Sequence, residues 1–279
     1  MQSPQSILIL QNTARPFAEK TAKLVAAIAR AEGVLTATLP TTGRSVGETP
    51  DIPAGAADLI IACGGDGTII EAAHRSRGSK IPIAGINAGY LGFLSAFSGR
   101  NTHALRQGTK KILAGKFSVE HRATIETLGQ WAVNDIVILS QEKSSLISLQ
   151  LKIGKTAATE YYGDGLIIAT PTGSTAYSLA AGGPVLTQGN RALVITPICP
   201  HSFANRSVIV SENETIEIIC PKGTRAKPAV SCDGQTQNLE AGTRLSIQVS
   251  KTDFPLVSMK TTNRYEILVE KLGWRPLPK

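Results

Sequence analysis

The sequence has little of what would staple, anchor or export a chain. Its 279 residues include four cysteines, Cys63, Cys199, Cys220 and Cys232, with no Cys-x-x-Cys spacing and none of the usual zinc arrangements. That excludes a disulfide framework and a zinc ribbon. Cys63, at the end of an apolar run, is expected to be a buried free thiol, which fits a reducing compartment. No stretch approaches the ~18 apolar residues that would span a bilayer. No Lys or Arg precedes the short apolar run in MQSPQSILIL, so no secretory leader is expected. His74, His103, His121 and His201 form no pair at ligand spacing and are read as surface or structural residues, with no protein-bound metal. Basic runs never exceed two residues and no aromatic residues interleave them, so nucleic acid is not the expected partner. The expectation is a cytoplasmic protein that binds neither membrane nor nucleic acid.

What is present is an ordinary globular composition, 42% hydrophobic and 18% charged. Lys and Arg number 29 against 21 Asp and Glu, a net charge of +8. Such an excess suits a solvated surface or an anionic ligand such as a nucleotide or polyphosphate. The length allows one large or two modest domains.

The first half alternates strand and helix. SILIL reads as a buried strand, followed by an amphipathic helix over about 15–32 with Phe17, Leu24, Val25 and Ile28 on its apolar face. The polar stretch PTTGRSVGETPDIPAGA makes a loop. A second buried strand, DLIIAC, runs into GGDGTIIEAAH, where Thr68 and Glu71 have capping-box spacing and a helix is expected from about Gly67. A third strand, IPIAGIN, leads to a second glycine turn, AGYLGFLS. After about residue 116 the segments are short and β-rich (SVEHRATIETL, WAVNDIVIL, SLISLQLKI, RSVIVSENETIEIIC, TRLSIQVSK). Trp131, Phe93 and Phe97 are read as core. The expected architecture is an α/β N-terminal domain with a parallel sheet, residues 1–115, followed by an all-β, sandwich-like domain, 116–257. The tail 258–279 reads as strand or helix and could pack back on the first domain. A site is expected in the cleft between the domains, at the carboxyl ends of the parallel strands.

Three segments carry chemistry. Gly64-Gly65-Asp66-Gly67-Thr68 lies where a strand ends and a helix begins. Its glycines let the backbone approach a ligand, and unpaired N–H groups at the helix start favour an anion. A lone carboxylate there makes sense as a general base or metal ligand; the alternative is a tight turn with a capping aspartate. The spacing fits neither a P-loop nor a GxGxxG dinucleotide loop. The run YYGDGLIIATPTGSTAYSLAAGGPVL sets Asp164 at a glycine turn, then a strand, then a turn presenting Thr172, Ser174 and Thr175, with Tyr177 placed to stack on a base. Its plainer reading is an ST-rich turn capping a helix. Asn134-Asp135 sits at the mouth of an apolar strand.

Together these segments resemble the NAD kinase family over most of residues 58–210. GGDGT and NAGYLGFLS match its two glycine turns, and Asn134-Asp135 its Asn-Glu or Asn-Asp pair. GDGLIIATPTGSTAYSLAAGGP is similar to its longest signature, and PICPHSFANRS to the segment after it. GGDG alone is less specific, because diacylglycerol-type lipid kinases and phosphofructokinases carry it. The resemblance implies phosphorylation of the 2′-hydroxyl of the adenosine ribose of NAD, giving NADP, with Asp66 as base and Gly67 beside the substrate. It implies that Asn134 and Asp135 hydrogen-bond the adenosine half and that Asp164 lines the dinucleotide site. Thr175, Ala176, Tyr177, Ser178, Leu179 and Ala180 would hold the adenine, and Gln235 in CDGQ would be a late contact. Tyr162 stands where some relatives have an arginine. The segment after Asp135 lacks a histidine of some bacterial members, and Asp135 is one methylene shorter than the family's Glu. ATP or polyphosphate would be the donor, and a divalent metal, Mg²⁺, would be held mainly by donor phosphates. A homodimer or homotetramer is implied by the resemblance alone. The competing readings are a lipid or sugar kinase sharing the GGDG loop and a non-catalytic dinucleotide sensor.

Overall fold

The structure, a computed structural model, describes residues 2–42, 50–87, 92–142, 145–202, 204–222, 226–259 and 264–274. The first part of the second glycine turn, residues 88–91, lies outside these. In chain order the elements begin with β1 (Ser6–Asn12), α1 (Pro16–Ala31), β2 (Leu35–Thr41), β3 (Leu59–Gly64), α2 (Asp66–Arg75), β4 (Ile83–Asn87), β5 (Ser95–Ser98), α3 (Thr102–Leu113) and β6 (Ser118–Arg122). There follow β7 (Ile125–Thr127), β8 (Gln130–Ala132), β9 (Asp135–Ser140), β10 (Ile147–Ile153), β11 (Thr156–Gly163) and β12 (Gly165–Ala169). A 3-10 turn (Gly173–Thr175) and α4 (Tyr177–Ala180) lead to β13 (Ala192–Ile198), β14 (Val208–Ser211), β15 (Ile216–Ile219), β16 (Pro228–Cys232) and β17 (Gln235–Asn238). The last elements are β18 (Arg244–Val249), β19 (Phe254–Ser258) and α5 (Arg264–Leu272). The described residues divide into two compact units: one runs to His121 and resumes at Phe254, the other is Arg122–Asp253. No helix among the described residues is long and apolar enough to cross a membrane.

The first unit is an α/β layer. Its sheet has the order β2-β1-β3-β4-β19-β6, with β5 also pairing β4. The pairs β1–β2, β1–β3, β3–β4, β4–β5 and β4–β19 are all parallel. Every residue of β3 and of β4 is buried, which is why both read as unbroken apolar runs: helices cover a parallel sheet on both faces. Val25, Ala26, Ile28 and Ala29 of α1, with Leu105 and Ile112 of α3, pack on Ile7, Ile9, Leu59, Ile61 and Ile86. β5 and α3 were not among the expected elements, although Asn101 marks the start of α3 by accepting from His103 N and Ala104 N, whereas β2 and β19 had no sequence signal. Most of β2 is exposed because it is an edge strand, with no second neighbour to demand apolar residues. β19 is a five-residue strand that reaches this sheet from the far end of the chain, and α5 turns Ile267 and Leu268 inward after it.

Two local expectations fail here. Phe17 is 69% exposed: the buried face of α1 is made by Ala18, Thr21, Ala22, Val25, Ala26, Ile28 and Ala29, and Lys20 Nζ lies 6.0 Å from the Phe17 ring centre. The capping box does not form either. α2 starts at Asp66, its N-cap is Gly65, and no side chain caps it, since Thr68 and Glu71 are buried on the helix's inner side.

The second unit is an antiparallel sandwich of two six-stranded sheets, β11-β10-β15-β18-β7-β8 and β14-β13-β12-β9-β16-β17. Alternation along the strands builds its core: Ile136, Ile138, Leu166, Ile168, Leu193 and Ile195 of one sheet meet Leu149, Leu151, Ile216, Ile218, Leu245 and Ile247 of the other. The alternate positions of β9, β12 and β13, facing the other way, are apolar too. Val137, Ile167, Ala169 and Val194 form a second cluster with Leu186, so the glycine-rich segment after β12 folds back over the outer face of the sheet. Trp131 is buried, and its indole N–H donates to Thr252 O at 3.1 Å.

Candidate active site

The order β2-β1-β3 makes β1 the strand from which the chain first turns one way and then the other. Open α/β sheets bind ligands at the carboxyl ends of strands at such a switch point. A cavity of about 330 Å³ lies there, lined by Asn12, Ala14, Arg15, Thr42, Gly65, Gly67 and Thr68. Asn12 ends β1, and Arg15 precedes Pro16 at the first turn of α1. Gly65 caps α2. Two helix N-termini and a guanidinium therefore border one hollow, a setting that favours a chain of phosphates. Asn12 Nδ2 donates to Thr68 Oγ1 at 2.8 Å, and Ala14 N donates to Asn12 Oδ1 at 3.0 Å. These bonds fix the end of β1 against the start of α2. Gly64 has no room for a side chain, because a Cβ there would lie 2.2 Å from Thr68 Oγ1.

Asp66 is the first residue of α2, yet its carboxylate turns away from the helix. Phe93 N donates to Oδ2 at 2.9 Å and Leu94 N to Oδ1 at 3.4 Å. A Cβ on Gly92 would lie 2.1 Å from Oδ1. The two glycine turns of the sequence are thus one device: the second holds the carboxylate that the first presents. Burial pushes the Asp66 carboxyl above its ordinary value, against the pull of the Phe93 and Leu94 N–H groups and the Lys271 and Arg15 charges. A carboxyl raised in this way is a better proton acceptor than a solvated one. Among the described residues no three His, Cys, Asp or Glu side chains converge as a metal site.

In the second unit, Asn134 and Asp135 sit where the chain enters β9. Thr170 N donates to Asn134 O at 2.9 Å and Thr170 Oγ1 to Val133 O at 2.6 Å. Gly173 packs so tightly that a Cβ would lie 1.9 Å from Asn134 O. The Thr-Gly turn is glycine-bearing in order to sit on this backbone. Asp135 is 6% exposed, and the N–H of Tyr177 donates to its carboxyl. Gly173 and the Tyr177 N–H thus bring the turn and the start of α4 against Asn134 and Asp135, and Tyr177 is 47% exposed. The hydroxyls expected to face a ligand are partly used inside. Ser174 Oγ bonds Pro171 O and accepts from Leu186 N, and Ser178 Oγ pairs with Thr196 Oγ1 at 2.8 Å. Both side chains are fully buried.

Tyr162 and Asp164 are placed elsewhere. Ala169 pairs with Asp135 and Gly165 with Leu139, so Asp164 lies beyond the opposite end of β12, roughly 17 Å along the strand. Tyr162 is exposed and meets His201 edge-on, with ring centres 5.5 Å apart. Gln235 opens β17 opposite Cys232, whose other neighbour is Ile136. Sequence reasoning missed Asn12, Arg15 and Asp233. The first two carry a usable signal, a strand end followed by Pro at a helix start. Asp233 carries only the Asp-Gly turn signature.

Burial first, then the neighbouring Asp233 charge, hold the Asp135 carboxyl up at about 7, against the Tyr177 N–H bond. The folded chain thus keeps a proton where the unfolded chain, at an ordinary value of 3.8, has lost it. The stability from this group is complete below the ordinary value and is lost as pH rises to about 7. Asp135→Asn mimics the neutral form, so the melting temperature of the wild type relative to the variant should fall between those two pH values. Parallel curves would contradict the assignment.

The description "ATP-NAD kinase N-terminal domain" matches residues 10–117, and "ATP-NAD kinase C-terminal domain" matches residues 133–259. The NAD kinase of Syntrophotalea carbinolica is 39% identical over 230 residues, 79% of each chain. That of Lachnoclostridium phytofermentans is 38% identical over 231 residues, 77% of this chain and 80% of the relative. A crystal structure of an NAD kinase from Archaeoglobus fulgidus in complex with ATP is similar at a TM-score of 0.79 and 25% identity, covering 97% of this chain and 100% of that one. Yeast NADH kinase complexed with NADH shares the fold at a TM-score of 0.81 and 24% identity, covering 100% of this chain and 91% of that one. The chain belongs to the NAD kinase family.

Proposed function

We propose that the protein transfers the γ-phosphoryl group of ATP to the 2′-hydroxyl of the adenosine ribose of NAD, giving NADP and ADP. The observation that carries this is Asp66, a buried carboxylate of raised proton affinity set between Gly65 and Gly67, which line a hollow suited to anions. Pure phosphate binding gains nothing from a negative neighbour, whereas an attacking hydroxyl needs an acceptor for its proton. In the transfer the ribose oxygen forms a bond to the γ-phosphorus as the bond to the β-bridging oxygen breaks. Asp66 orients the hydroxyl and takes its proton late, since a carboxyl is a weak base toward an alcohol. Gly67 stands beside the substrate. The N–H groups at the start of α2 and the Arg15 guanidinium receive the donor phosphates.

The cavity lining offers N–H groups, hydroxyls and a guanidinium rather than a cage of carboxylates. It fits a polyphosphate chain that carries its own cation, as magnesium prefers. Bound there, Mg²⁺ would neutralise the charge on the transferred group. ATP is the proposed donor, and inorganic polyphosphate offers the same chemistry. Asn134 and Asp135 would hydrogen-bond the adenosine half, and Thr175, Ala176, Tyr177, Ser178, Leu179 and Ala180 would line the adenine. With Ser178 Oγ engaged by Thr196, that residue would act through its backbone. Gln235 would add a late contact. Tyr162 and Asp164, at the far end of β12, would act on the rest of a dinucleotide or on one held by a second copy, in a homodimer or homotetramer. A cytoplasmic location suits a reduced thiol such as Cys63, which is fully buried.

The direct test is incubation with NAD, ATP and Mg²⁺, with NADP read by an NADP-specific dehydrogenase. NADP should appear with ATP and Mg²⁺ and vanish on adding EDTA; no NADP under any donor would overturn the reading. Tyr177→Ala should weaken NAD binding by ~1–3 kcal/mol in calorimetry, the worth of base–aromatic stacking. An unchanged affinity would remove Tyr177 from the site.

A further inference from the structure

The turn between β16 and β17 places Asp233 at φ +47° and Gly234 at φ +88°. Two positive values in succession make a tight hairpin, which glycine, Asn and Asp tolerate. Aspartate adds to this a carboxylate, and the carboxylate is fully used. Val133 N donates to its Oδ2 at 2.6 Å, and Asn134 N and Asp135 N donate to its Oδ1 at 2.8 and 3.2 Å. Its own N–H donates back to Asp135 O at 3.1 Å. Three consecutive backbone groups at the mouth of β9 are thus gathered by one side chain from another hairpin.

We propose that Asp233 is a positioning residue for dinucleotide recognition, fixing the backbone of Asn134 and Asp135 so that this pair meets the adenosine half in one geometry. This rests on the reading that Asn134 and Asp135 hold that half. Hydrogen bonds to an ionised acceptor are the strong kind, so the arrangement is stiffer than a neutral turn residue would make it. The same charge acts on Asp135 beside it. The groups facing Asp135 are Asp233, Cys232 and the Tyr177 N–H, and burial together with Asp233 keeps its proton on up to about 7. Asp233 thereby fixes the place of Asp135, and its charge acts on the same carboxyl.

The test uses the intact enzyme with Asp233→Asn and Asp233→Glu. Asp233→Asn keeps the turn and one acceptor oxygen but removes the charge. The KM for NAD should rise at least roughly tenfold with a smaller change in kcat. The Asp135 titration, followed in the ligand-free protein by carboxyl infrared difference against Asp135→Asn, should move to lower pH. Asp233→Glu keeps the charge one methylene away, so KM should rise while the titration stays near that of the wild type. A merely structural turn residue would not move the titration. Wild-type KM in both variants, or an Asp135 titration unmoved in Asp233→Asn, overturns the proposal. Should Asp233→Asn fail to fold, wild-type KM in Asp233→Glu overturns it alone. The titration is read without substrate, so a failure of the NAD reading itself, no NADP from the wild type, remains separately visible.

Discussion

A carboxylate at a helix N-terminus would ordinarily bond the free N–H groups of its own first turn. Asp66 is instead held by Phe93 N and Leu94 N, in a pocket that exists only because position 92 has no Cβ. With the carboxylate drawn aside, no side chain caps the start of α2, a setting that favours an anion in the hollow lined by Gly65 and Gly67. The Asn12–Thr68 bond keeps β1 and α2 in register, and the Arg15 and Lys271 charges offset part of the cost of burying the carboxylate.

The second unit solves a parallel problem with a different device. Asn134 and Asp135 lie at the entrance to β9, where the ladder begins at the Asp135–Ala169 pair and the preceding N–H groups need partners from outside it. The Thr170 hydroxyl, the close approach of Gly173 and the Asp233 carboxylate close that gap from three sides. The glycines of the long signature thus serve packing as much as ligand approach: at Gly173 and Gly183 an added Cβ would strike Asn134 O and Ser178 Oγ.

Much of this was legible in the amino-acid order. Strands buried on both faces, β3, β4 and β12, show as unbroken apolar runs, and the Gly-Gly-Asp-Gly turn marks a strand-to-helix switch with an acid in it. The resemblance implied NAD and a phosphoryl donor as the partners of Asp66. Most of what escaped, α3 with its local Asn101 cap apart, has a common cause. β2 at the sheet edge and β19 at the far end of the chain are defined by neighbours that local patterning does not encode. The Thr68 and Ser178 hydroxyls look like caps or ligand donors in one dimension, but Asn12 and Thr196, 56 and 18 residues away, claim them. Asp233 reads as a turn former until the three N–H groups that it gathers, about a hundred positions earlier, are seen.

The central claim is that Asp66 accepts the proton of the attacking hydroxyl rather than shaping a turn. Asp66→Asn separates the two, because asparagine keeps the side chain's shape and one acceptor for Phe93 N, but cannot take the proton. The measurement is kcat for NADP formation beside the calorimetric Kd for NAD in the same variant. The account predicts a fall in kcat of ~10²–10⁴ with little change in Kd. Full turnover in Asp66→Asn would contradict it.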